Sequence, residues 1–199
     1  MMHKWNSFLL CAGIAALLAG CTDAPPVVQV PLLSFDQYKP ILLNVARIDV
    51  IDKFRVADAP SSLKHVELLM KQPPEQALQE LVKKQLVAAG PSRVMRVIIE
   101  DASVTGEKLP VTEGFAGLFQ NEPSERYHAT IALRFEIAEN DAPDIVIGNA
   151  RVTADRTQTV MKDASPAQRD MAFFHLDEQL MADVSHGLQT VVRSSFGLQ

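Results

Sequence analysis

Hydrophobic and polar positions alternate most regularly between Glu125 and Ala138. Tyr127, Ala129, Ile131, Leu133, Phe135 and Ile137 interleave with Arg126, His128, Thr130, Ala132, Arg134 and Glu136. A period of two puts these sets on opposite faces of a strand, one buried and one wet. Ile145 to Val160 returns after the turn sequence "ENDAPD", which predicts an antiparallel hairpin. Upstream, "ILLNVARIDVI" from Ile41 and "VMRVIIEDASV" from Val94 are rich in β-branched residues and read as two further strands.

Two segments carry the helical period instead. Leu78, Leu81, Val82, Leu86 and Ala89 follow Pro74-Glu75, a favourable helix start, and Gly90-Pro91 is a stop signal. Phe173, Leu176, Leu180, Val184, Leu188 and Val191 form a longer stripe, widened by Phe174, Met181 and Val192. Ser165-Pro166-Ala167-Gln168 supplies its capping box, and the helix should run about eight turns, to Phe196. The order is therefore β-α-β-β-β-α. It predicts an α+β fold: a mixed four-stranded sheet with two helices packed on one face. The first crossover should leave strands one and two parallel. Asp52–Pro74 and Thr105–Ser124 read as loops.

The N-terminus departs from both periods. His3 and Lys4 form a positive head, and Phe8 to Ala19 is apolar or small throughout. This is the layout of an export signal, and a dozen apolar residues fall short of the roughly 20 that span a bilayer. Leu18-Ala19-Gly20-Cys21 follows and resembles the bacterial lipobox. The resemblance implies cleavage before Cys21, lipid attachment at its sulfur and new N-terminus, and a membrane anchor. It divides the chain into a signal peptide (1–20), a Pro-rich linker (21–40) and one α+β domain (41–199). Cys11 would leave with the signal, so no disulfide is expected. In enteric bacteria an Asp directly after the lipidated cysteine retains lipoproteins in the inner membrane. Here Thr22 holds that position and Asp23 follows, which favours the outer membrane, with the domain in the periplasm. The linker could extend, since the nineteen residues from Thr22 to Pro40 reach at most roughly 60–70 Å. Alternatively Val27, Val28, Leu32 and Leu33 could dock along the domain.

Composition narrows the function. Of the 199 residues 47% are hydrophobic and 22% charged, which is ordinary for a globular protein. A net charge of −5 with no basic run argues against nucleic-acid binding. Beyond the signal the histidines are His65, His128, His175 and His186. His175 and His186 would stand about 16 Å apart on one helix, too far to share a metal ion. Glu100 and Asp101 are neighbours on a strand and point to opposite faces. No HExxH, nucleophile elbow or P-loop occurs. No catalytic residue, metal site or cofactor is expected.

One segment remains. "TEGFAGLF", Thr112–Phe119, sets Phe115, Leu118 and Phe119 in a loop with two glycines. Either it presents apolar groups to a partner or membrane, or it folds back and caps the core. The outward polar face of the sheet, with Arg126, His128, Thr130, Arg134 and Glu136, is a second interaction candidate. In layout and length the chain resembles the lipopolysaccharide-assembly lipoprotein and the auxiliary lipoproteins of ABC-type transporters. That resemblance implies a non-enzymatic accessory or binding role in envelope assembly or transport, with an envelope protein or lipid as partner. The alternative is an envelope hydrolase whose site no motif reveals.

Overall fold

Along the chain follow β1 (Ile41–Leu43), β2 (Arg47–Asp52), α1 (Pro74–Gln85), β3 (Leu86–Ala88), β4 (Val94–Lys108), α2 (Gly114–Gly117), β5 (Pro123–Ala138), β6 (Val146–Met161) and α3 (Pro166–Ser195). The structure is a computed structural model that describes residues 30–56, 64–117, 119–140, 142 and 144–195. The fold is α+β. Its main sheet is mixed and four-stranded, in the order β2-β4-β5-β6. β2 runs parallel to β4, as the crossover through α1 requires, and the other two pairings are antiparallel.

The inner face holds the core. Met95, Val97 and Ile99 of β4 point inward, and a bulge then shifts the register between Ile99 and Asp101. One extra residue reverses the parity, so Ala102 and Val104 become the inward pair. The six alternating residues of β5 from Tyr127 to Ile137 meet these, with Val152, Ala154 and Val160 from β6. Leu78, Leu81 and Val82 of α1 and the stripe from Phe173 to Val192 of α3 close the cluster on the same side.

The capping box of α3 forms as the sequence predicts. Ser165 N donates to Gln168 Oε1 at 2.7 Å, and Gln168 N donates to Ser165 Oγ at 3.3 Å. Gly187 lets the helix approach the sheet, because a Cβ there would lie 2.6 Å from Val152 Cγ1.

Three elements differ from expectation, the first being β4, which runs on to Lys108 through residues expected as loop because Glu125–His128 of β5 pairs with them. α1 stops at Gln85, and Leu86–Ala88 pairs in parallel with Ile41–Leu43 as a separate two-stranded sheet. The ladder continues in Ala89 N to Leu43 O at 2.9 Å and Gly90 N to Val45 O at 3.0 Å. Backbone pairing outweighs the helical spacing of Leu86 and Ala89. The predicted first strand accordingly splits, with β1 joining β3 and β2 joining β4.

Residues 30–40 lie along the helical side. Val30 and Phe35 are buried, Leu33 N donates to Gln72 Oε1 at 2.9 Å, and Lys84 Nζ pairs with Asp36 at 2.6 Å. Lys71 Nζ donates to the Val30 carbonyl.

Candidate functional site

The loop between β4 and β5 is held at both ends and in the middle. Leu109 N donates to Ser124 O at 2.8 Å. The Glu122 carboxylate accepts from Thr112 N at 2.5 Å and from Thr112 Oγ1 at 3.3 Å. Lys162, between β6 and α3, donates its backbone N–H to Glu122 O at 2.9 Å and its Nζ to Gly117 O at 2.5 Å. Gly117 is buried, and a Cβ there would meet Thr112 O at 1.9 Å, so only glycine fits. Gly114, at φ 75°, makes the left-handed bend that starts the α2 turn.

This bracing pushes two aromatic rings outward. Phe115 is 79% exposed and Phe119 77%, with ring centroids 5.3 Å apart in an edge-on arrangement. Of the two arrangements the sequence left open, these residues take the exposed one. Leu118 and Cys21 lie outside the described residues.

More apolar surface lies toward this end. Val66 N donates to Val104 O and Gly106 N to Lys64 O, so this segment extends the sheet edge beyond β2. It leads into a 3-10 turn, Glu67–Leu69, where Leu68 is 86% exposed and Leu69 67%. Glu67 turns inward and accepts from Val104 N at 2.7 Å and contacts His65 Nδ1 at 2.8 Å. Leu32, 58% exposed, stands beside Met70–Gln72 through the bond from Leu33 to Gln72.

Below this end α3 is clamped to the sheet. Arg169 makes a two-pronged contact with Glu125, both distances 3.1 Å, and Tyr127 donates its hydroxyl to the same carboxylate. The Arg169 guanidinium and the Tyr127 hydroxyl hold the Glu125 carboxyl below its usual range, while burial pushes Tyr127 up to about 12. The Tyr127 and Phe173 rings pack at 4.6 Å.

A small cavity of about 20 Å³ opens next to Phe173, lined by Val30, Leu33, Gln72, Asp170 and Asp177 among others. It has room for one water molecule. Asp177 is 2% exposed, its Oδ1 has no partner, and burial alone pushes its carboxyl up to about 8. Its position in the sequence carried the signal: Asp177 falls in the apolar stripe between Phe173 and Met181, where α3 faces inward. A second perturbed acid is Glu75, raised to about 7 by a hydrogen bond shared with Asp52.

The outward face of the sheet neutralises its own charge. Arg134 Nε meets Glu100 at 2.7 Å, Arg151 meets the same carboxylate, and Arg134 and Arg96 both meet Glu136. Arg134, with Arg151 beside it, holds Glu100 below its usual range. Arg126 pairs with Glu107 at 2.9 Å, and His128 contacts Thr157 at 3.1 Å and Thr130 at 3.3 Å. His175 faces Glu178 at 3.4 Å on α3, and His186 lines an open groove nearer its C-terminus. Among the described residues no three His, Cys, Asp or Glu side chains come together to hold a metal ion.

No protein-family model matches the chain, and no curated protein matches it. Its fold is similar, at low identity, to solved bacterial proteins that include lipoproteins. A Xanthomonas campestris protein assigned to the DUF330 family is 14% identical over 82% of this chain and 92% of that one, with a TM-score of 0.37. Rare lipoprotein B of Shewanella oneidensis is 12% identical over 74% of this chain and 95% of its own, with a TM-score of 0.35. A minor lipoprotein of Acinetobacter baumannii is 13% identical over 72% and 93%, with a TM-score of 0.31. No residue role is carried over from them.

Proposed function

We propose that the chain is a lipid-anchored lipoprotein of the bacterial envelope, held at Cys21, whose domain is a non-enzymatic binding module in envelope assembly or transport. Thr22 after the cysteine favours the outer membrane, with the domain in the periplasm. The observation that carries the binding role is the braced loop. Fixed hydrogen bonds and a glycine that admits no side chain hold Phe115 and Phe119 in solvent, where large apolar groups cost stability unless something covers them.

The test places a photo-crosslinking amino acid at Phe115 or Phe119 in the native envelope. Crosslinks to an envelope protein or to lipid are expected, with none from the same probe at exposed Gln76 on α1. An empty crosslink profile at both aromatic positions overturns the reading. Replacing both rings by serine should leave the melting temperature unchanged or slightly raised, because neither ring is in the core.

A further inference from the structure

We propose that the apolar end of the domain rests on the bilayer that carries the anchor, with Phe115 and Phe119 inserted at the boundary between headgroups and acyl chains. The inference rests on the reading of Cys21 as the lipidated residue and names the membrane as what the loop contacts.

The argument begins where the described chain enters the domain. Val30 sits beside Phe173 and Phe174, in the first turns of α3, with its carbonyl held by Lys71. The same end of α3 adjoins the aromatic loop, because Lys162, four residues before Pro166, holds Gly117. The entry point and the exposed rings therefore share one end of the molecule. From the level of Phe173 back to Pro166 is about 10 Å along the helix axis.

Reach then discriminates between the two ends. Nine residue steps separate Cys21 from Val30, and they span at most about 32 Å. The loop end needs about a third of that. The opposite end carries its own exposed apolar group, Ile145, Val146 and Ile147. Bringing that end to the membrane means covering the helix from Phe173 to Ser195, about 33 Å, which exceeds the fully extended tether. The tether thus selects the aromatic end.

The remaining surface agrees. Leu32, Leu68 and Leu69 are exposed close to the entry, so this end offers two aromatic and three aliphatic side chains. Side chains that reach only the headgroup–acyl boundary need no spanning segment. A weak contact is sufficient, because the anchor holds the domain at high effective concentration above the membrane. The rings orient the domain, and the acyl chains attach it. Removing the rings should therefore leave the protein on the membrane and free its orientation.

The experiment uses the full, lipidated protein carrying Phe119→Trp, reconstituted into vesicles of phosphatidylethanolamine and phosphatidylglycerol. Trp5 is the single tryptophan of the chain and lies in the signal, so after cleavage the introduced indole is the sole reporter. Expected are a blue shift of its emission and a loss of intensity when the lipids carry bromine high on the acyl chains. A smaller loss is expected with bromine near the chain ends. Ile147→Trp at the opposite end should show neither. Protein that floats with the vesicles but shows no quenching at position 119 overturns the orientation and leaves the anchor standing. Equal quenching at both positions also overturns it. Protein that fails to float overturns the anchor, and the proposal falls with it.

Discussion

Asp177 is an acid in a helical stripe otherwise built from Phe173, Leu176, Leu180, Met181 and Val184. Its carboxyl keeps its proton at neutral pH in the folded protein, with its pKa raised from an ordinary 3.8 to about 8. In the unfolded chain it ionises above about pH 4. Between those values the folded state binds the extra proton, so stability falls as pH rises. The slope is about 1.4 kcal/mol per pH unit. Below pH 4 the contribution is fully present, and near pH 8 it is lost. Glu75, raised to about 7 through Asp52, adds a slope of the same sign in the window from 4.5 to 7. Asp177→Asn removes only the first. Urea melts of the full chain at several pH values should show the variant equal to or slightly below the parent near pH 4 and clearly more stable near pH 8. Parallel curves would show that Asp177 ionises normally.

At the scale of elements, the close approach of α3 to β6 depends on Gly187. Alanine in a helix interior is favoured over glycine by about 1 kcal/mol. Here the added Cβ would press on Val152, a stiff β-branched side chain that is itself buried, and overpacking costs about 1–3 kcal/mol. Gly187→Ala should therefore lower the denaturant midpoint, and Val152→Ala should relieve it. The double variant should be more stable than the sum of the two single losses. Simple additivity would show that the helix shifts freely over the sheet. This contact is invisible in the sequence, where Gly187 is one small residue in a helical run. Elements with their own strong period were legible: β5, the hairpin to β6 and the capped α3. Those decided by a distant partner were not. Leu86–Ala88 fits the helical stripe until Ile41–Leu43 supplies a ladder for it. Thr105–Lys108 lacks apolar alternation but extends β4 because Glu125–His128 faces it. The aromatic loop was legible as a candidate by composition alone. Its exposure was not, because it depends on Lys162, 45 residues beyond Gly117, and on a turn that brings Glu122 back to Thr112.

At the scale of the whole molecule, the segment before Ile41 couples the tether to the core. Val30 and Phe35 are buried against the helical layer, and burying such a side chain contributes about 1.5–3 kcal/mol. A chain that begins at Ile41 should therefore be less stable than one that begins at Val30, by roughly 3–6 kcal/mol. The same cut opens the cavity at Asp177, since Val30, Pro31 and Leu33 form one of its walls. Water would then reach the carboxyl, its pKa should fall toward the ordinary range, and the falling stability between pH 4 and 8 should flatten. Both effects come from one segment and are read in one series of denaturant melts on the two chains. A shorter chain with the same midpoint would show that residues 30–40 lie on the domain without supporting it. A lower midpoint with the pH slope unchanged would show that Asp177 is buried by the helices alone. If both effects occur, the residues that fix where the tether leaves the domain also hold its core closed. Pull on the anchor would then be felt at Phe173 and Asp177.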